Sequence, residues 1–305
     1  MCGLDGMGSR RRTLRTIAFL LVTAALAACK PAATENDAAA NAATPVAAAP
    51  LSLARLDCGD IRIKDFDAFF SDKPGLYAKA PRDITDSCYL IRHGDQLMLW
   101  DTGFSDQLIG HPYVQPEQTA SLKQSLIDQL KAGGIKPEQI TIVGISHYHA
   151  DHTGQASRFP GAELLIGKAD YDALKQPSKD EFFKMAQGDL AHWLTGGGKA
   201  EAISGDKDVF GDGSVVMLAM PGHTPGHHSL LVNLASGPVL LSGDLYHAAE
   251  AREKRGVPPF NTSREQTLQS MDRFEAKAKQ LRAKVIIQHE PADIGKLPAF
   301  PAAAK

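Results

Sequence analysis

Four His and Asp side chains crowd into the six residues His147-Tyr148-His149-Ala150-Asp151-His152. They follow an apolar run from Gln139 to Ser146, rich in Ile and Val, that reads as a buried strand. Side chains alternate along a strand, so at its end His147 and His149 point to the same side and can share one metal ion. The chain then turns into a helix whose first residues, Asp151 and His152, can face a second ion beside the first. A lone buried His is more often hydrogen-bonded structure than ligand, so the cluster needs partners elsewhere. They follow other apolar runs: His223 in Gly222-His223-Thr224-Pro225-Gly226-His227, Asp244 in Ser242-Gly243-Asp244, and His289 in Gln288-His289-Glu290. Each lies where a strand stops, where loop-borne active sites usually form.

The frame around these residues mixes both kinds of element. Ser87 to Arg92 and Gln96 to Asp101, joined by His93-Gly94-Asp95, read as a hairpin. An amphipathic helix is expected from about Pro116, with Leu122, Ile127 and Leu130 on one face and Gly133-Gly134 as its stop. Further strands fit Glu163 to Ile166, Ser214 to Met220, His228 to Val232, Val239 to Ser242 and Val285 to Gln288, and a helix fits Arg264 to Ala283. The class is α/β, with residues 51–305 as one domain.

Arg10, Arg11, Arg12 and Arg15 precede an apolar stretch from Ile17 to Ala28 in which only Thr23 is polar. That is the pattern of an export signal, too short to remain as a membrane span. It ends Leu26-Ala27-Ala28-Cys29, which resembles the lipobox of bacterial lipoproteins. The resemblance implies removal of residues 1–28 and a lipid anchor on Cys29; Lys30 in place of Asp implies the outer membrane, facing the periplasm. Residues 29–50, dominated by Ala and Pro, form a tether. Cys58 and Cys88 are left as one pair for an oxidising compartment, as a disulfide or as two buried thiols. A net charge of -2 gives no attraction to nucleic acid, so no nucleic-acid partner is expected.

The order H-x-H-x-D-H, later His, later Asp, final His resembles the metallo-β-lactamase superfamily, over about Leu56 to Asp293. The resemblance implies an αββα four-layer sandwich with a dinuclear centre along one edge of its two sheets. Carried over, His147, His149 and His223 hold the first metal, Asp151, His152 and His289 the second, and Asp244 bridges both. These ligands suit two Zn ions, and Fe, Mn or Co can occupy such a site. Asp101, in Leu99-Trp100-Asp101-Thr102-Gly103, matches a family Asp that orients a ligand His; a turn cap is the alternative reading. Paired ions turn water into hydroxide near neutral pH, so hydrolysis is the reaction class. The family gives Asp151 the task of holding the nucleophile and shuttling its proton.

Within the superfamily the chain is most similar to the quorum-quenching N-acyl homoserine lactone lactonases. The cues are Ser146 to Gly154, the Pro221-Gly222-His223-Thr224-Pro225-Gly226-His227 turn and Ser242-Gly243-Asp244-Leu245-Tyr246. This implies opening of the lactone ring by a metal-bridging hydroxide. Many of these lactonases place a Tyr three residues after the bridging Asp; here that position is His247 and the Tyr is Tyr246, so both are candidates to hydrogen-bond the developing oxyanion, with packing of Tyr246 in the core as the alternative. Phe66, Phe69, Phe70 and Leu76, or Phe182, Phe183 and Trp193, are candidate walls for an acyl tail, as is Pro258-Pro259-Phe260-Asn261. Two rivals stand: an organophosphate triesterase resembling the methyl parathion hydrolases, and a binding protein with a silent metal site. The complete set of seven ligands argues against the second.

Overall fold

A computed structural model describes residues 49–305. The expected signal, Cys29 and all but the end of the tether lie outside the described residues. Eight strands in chain order build the first sheet: β1 (Leu51–Ile63), β2 (Arg82–His93), β3 (Gln96–Trp100), β4 (Tyr113–Val114), β5 (Gln118–Ser121), β6 (Ile140–Ile145), β7 (Glu163–Gly167) and β8 (Ala200–Ile203). Their spatial order is β4-β5-β1-β2-β3-β6-β7-β8. The second sheet follows from β9 (Lys207–Asp208), β10 (Val215–Ala219), β11 (His228–Leu234), β12 (Gly237–Leu241) and β13 (Lys284–Ile286), in the order β13-β12-β11-β10-β9.

Alternation gives the central strands two buried faces. On β2 and β3, Tyr89, Ile91, Met98 and Trp100 point inward and meet Val215, Met217, Leu230 and Val232 of the second sheet. Cys88, Leu90, Leu97 and Leu99 point outward and are covered by the helical residues Leu126, Leu130, Leu174 and Trp193 and by Leu190 in the turn between two helices. The outer face of the second sheet, through Leu231, Leu240 and Val285, is covered by Met271, Phe274 and Ala278 of the helix Arg264–Leu281. Helices, sheet, sheet, helices is the αββα sandwich. Cys58 and Cys88 form a disulfide, with Cα atoms 5.7 Å apart, which settles the pair left open by sequence.

Two segments depart from the sequence reading. The helix expected from Pro116 begins only at Leu126, where the Ser125 side chain accepts the Asp128 N–H as an N-cap; Gln118–Ser121 instead pairs with β1. The 13-residue β1 was not anticipated, because a bulge between Asp57 and Gly59 breaks its alternation and the buried Arg55 interrupts its apolar side. Arg55 is satisfied by Ser87 Oγ and Thr85 Oγ1.

β3, β6 and β7 are mutually parallel, as are β12 and β13. Parallel neighbours end at the same rim, and β10, two antiparallel steps from β12, ends there too. The segments carrying Asp101, His147, His223, Asp244 and His289 all leave strands at this edge. A backbone hydrogen bond from His228 N–H to Ser146 O, 2.8 Å, joins the two sheets beside it.

Candidate metal centre

The structure brings the seven expected ligands together in two groups that share Asp244. In the first, His147 Nε2, His149 Nδ1 and His223 Nε2 stand 2.9 to 3.1 Å from one another. Asp244 Oδ2 lies 3.3 Å from His223 Nε2 and 3.7 Å from His147 Nε2. Four ligands about 2.0–2.1 Å from one zinc ion would be about 3.3 Å apart, so this set fits a tetrahedral ion with little adjustment. In the second, Asp244 Oδ1 is 2.9 Å from His289 Nε2 and 3.3 Å from His152 Nε2, and Asp151 Oδ2 is 3.8 and 3.9 Å from His152 and His289. One carboxylate thus aims one oxygen at each group.

Two buried atoms here, His152 Nε2 and Asp244 Oδ1, have no hydrogen-bond partner. A cation between them would satisfy both, so the donors fit a metal better than they fit each other. Burial, reinforced by neighbouring imidazoles, holds His147 and His149 well below the ordinary histidine range, leaving neutral rings with a lone pair to offer. Burial alone would raise Asp244, but His289, His152, His247 and His147 around it hold it well below the carboxylate range and ionised.

Four of the five ligand histidines also have their far nitrogen fixed, which sets the ring orientations. His147 Nδ1 meets Ser146 Oγ at 3.0 Å, His223 Nδ1 meets Asn261 Oδ1 at 2.9 Å, and His289 Nδ1 meets Thr85 O at 2.8 Å. His152 Nδ1 donates to Asp101 Oδ2 at 2.9 Å, and Asp101 also accepts from Ser146 N–H and Gln288 Nε2. Asp101 therefore does more than cap a turn. It sits at φ 58°, a conformation that Asp adopts at modest cost and that aims both oxygens inward. His227, passed over by sequence reasoning, is wholly buried; Nδ1 faces Met220 O at 3.0 Å and Nε2 accepts the Asp244 N–H at 2.9 Å.

A cavity of about 380 Å³ opens over the second group, with His149, Asp151, Asp244, His247 and His289 in its wall. Phe69, Phe70, Phe182, Phe183, Phe260 and Tyr148 supply its apolar side. Phe66 and Trp193 belong to the core and not to this cavity, nor does Leu76 line it. His247 stacks parallel to His289 at 5.6 Å, and its Nε2 lies 3.1 Å from Asp244 Oδ2. Burial pushes His247 down to about 4, so its ring is neutral at physiological pH and its single N–H, at Nε2, is directed to Asp244. Tyr246 corrects the sequence expectation: its hydroxyl donates to Glu275 Oε1 at 3.0 Å, and its ring packs on Phe274 beneath the outer helix, away from the cavity. The turn Gly243–Leu245 between β12 and Tyr246 replaces strand alternation there, so adjacent residues diverge to the core and to the site.

The metallo-beta-lactamase superfamily pattern matches residues 83–289, and the chain belongs to that superfamily. The N-acyl homoserine lactonase AttM of Rhizobium radiobacter is 32% identical over 196 residues, covering 58% of this chain and 69% of that one. A solved N-acyl homoserine lactone hydrolase, with N-hexanoyl-L-homoserine bound at its catalytic metal centre, has the same fold: TM-score 0.70, 22% identity, 84% of this chain and 99% of that one. AidC, a dizinc quorum-quenching lactonase, aligns with TM-score 0.64 and 18% identity over 85% of this chain and 91% of its own.

Proposed function

We propose that this protein is a metal-dependent hydrolase that opens the lactone ring of N-acyl homoserine lactones. The observation that carries this reading is Asp244 divided between two His/Asp groups at the base of an aromatic-lined cavity, in a chain 32% identical to an N-acyl homoserine lactonase. His147, His149 and His223 would hold one zinc ion, Asp151, His152 and His289 the other, and Asp244 would serve both. Bound there, two such ions supply the Lewis acidity that polarises the lactone carbonyl and makes water a nucleophile at neutral pH. The Asp151 carboxylate, facing the cavity, takes a proton from the attacking water and returns it to the ring oxygen as the C–O bond breaks. With the Asp244 carboxylate turned to the ions, the single N–H of His247 would be released toward a bound substrate, and the phenylalanines hold the acyl chain.

The test is hydrolysis of N-decanoyl homoserine lactone by the zinc-reconstituted protein. Ring opening should require zinc and fall at least about 100-fold in Asp244→Asn, the scale of losing a central electrostatic group. His247→Ala should lower kcat at least about tenfold while Tyr246→Phe stays at the wild-type value. Preferential turnover of a phosphotriester would transfer the reading to the organophosphate branch. We also infer export and anchoring through Cys29 to the periplasmic side of the outer membrane. The Cys58–Cys88 disulfide supports an oxidising compartment. Palmitate labelling that persists in Cys29→Ser would refute the anchor.

A further inference from the structure

Asp170 stands outside both ligand groups, yet it is completely buried beside the first. It lies in the first turn of the helix Lys168–Leu174, directly after β7. Its Oδ1 accepts the Gly226 N–H at 2.6 Å, and its Oδ2 accepts the Thr224 hydroxyl at 2.7 Å and the Tyr148 N–H at 3.3 Å. Tyr148 separates His147 from His149, and Thr224 follows His223. One carboxylate therefore fastens together the two loops, from different sheets, that supply all three histidines of the first group.

We propose that Asp170 is the positioning residue of the first metal site: it sets the distance between the His147–His149 loop and the His223 turn, and hence that site's affinity for metal. This rests on the reading of the two groups as metal sites. The local packing is built around the contact. A Cβ on Gly226 would stand 2.8 Å from Asp170 Oδ1, and one on Gly167 would collide with Gly226 O, so only glycines let the turn close onto the carboxylate. An acceptor is required at both oxygens. Asparagine has one, and its amide nitrogen would face either the Gly226 N–H or the Thr224 and Tyr148 donors. A buried carboxylate whose bonded partners are all neutral is costly, and burial raises this one to about 7. Fold stability alone does not account for keeping a carboxyl there.

Zinc binding to the metal-stripped protein, measured by chelator competition, tests the proposal without recourse to activity. The wild type should take up two zinc ions. Asp170→Asn should weaken one of them about 10- to 100-fold, the usual effect of removing a group that orients ligands. Its profile should match that of the first-group variant His223→Ala and not that of His289→Ala. Thr224→Val, which deletes one of the three hydrogen bonds, should weaken the same ion about 3- to 10-fold. Wild-type affinities in both variants, or equal weakening of both ions, would overturn the proposal. If Asp170→Asn does not fold, Thr224→Val decides: selective weakening supports the proposal and wild-type binding overturns it. A wild type that binds no zinc would overturn the metal-site reading and this inference with it; two zinc ions with unaltered variants would overturn this inference alone.

Discussion

Replacing Asp101 by Asn separates the orientation of a ligand from the capping of a turn. Asn tolerates the φ of 58° about as well as Asp, so the backbone is not newly strained. The change falls on three buried donors: Ser146 N–H at Oδ1, and His152 Nδ1 and Gln288 Nε2 at Oδ2. If the Asn oxygen takes the Oδ2 position, only the Ser146 N–H is orphaned, at about 1–3 kcal/mol, and the bond from His152 drops from charge-assisted to neutral, about 1 kcal/mol more. The reverse orientation orphans two donors. A loss of about 2–4 kcal/mol follows for the metal-free protein, readable by urea denaturation in chelator. Because His152 belongs to the second group, affinity for that zinc should also fall about 10- to 100-fold in a zinc titration. A stability loss with both zinc affinities unchanged would refute the orienting role and leave Asp101 as a cap.

Three further outcomes are expected. Reducing the Cys58–Cys88 bond, or Cys58→Ser with Cys88→Ser, should lower stability by about 3–4 kcal/mol, from the loop its 30-residue separation closes, in urea curves taken with and without reductant. Burial raises Asp189 to about 6, against its bond from Thr153, so the folded state holds its proton more tightly than the unfolded one. That contribution is complete below about pH 4 and lost as pH rises through 6; the stability of wild type relative to Asp189→Asn should therefore fall across that window, by at most about 3 kcal/mol. Phe260 is 43% exposed at the cavity and stands 5.5 Å from the Phe69 ring. Phe260→Ala should reduce kcat/KM about 3- to 10-fold for a decanoyl substrate and less than about twofold for a butanoyl one, because only the long chain loses apolar contact there.

The ligands were legible because each of His147, Asp244 and His289 follows an apolar run, and strand ends advertise themselves by composition. The four layers were legible only through the resemblance of the ligand motif to the superfamily, since the strand and helix pattern by itself gave no more than a mixed α/β class. What sequence could not supply were contacts without local pattern. Asp170 and His227 are single polar residues whose partners lie 22 to 56 positions away for the first, and 7 and 17 for the second. The helix expected from Pro116 failed because Leu122 has helical spacing but is buried on the far side of the Ser125 cap. The aromatic clusters split, with Phe182 and Phe183 at the cavity and Trp193 in the core, since the helix Glu181–Asp189 ends between them.

Apart from Tyr148, which stands between His147 and His149, the apolar wall of the chamber and the cage beneath it come from separate parts of the chain. Phe69 and Phe70 arise from a short helix after β1, Phe182 and Phe183 from the insert between β7 and β8, and Phe260 from the loop after residue 254; none of these segments contributes a ligand. Drift in the walls can therefore redirect which molecules enter while the reactive apparatus stays intact. Such a chain has a short evolutionary path between substrates and a long one between chemistries.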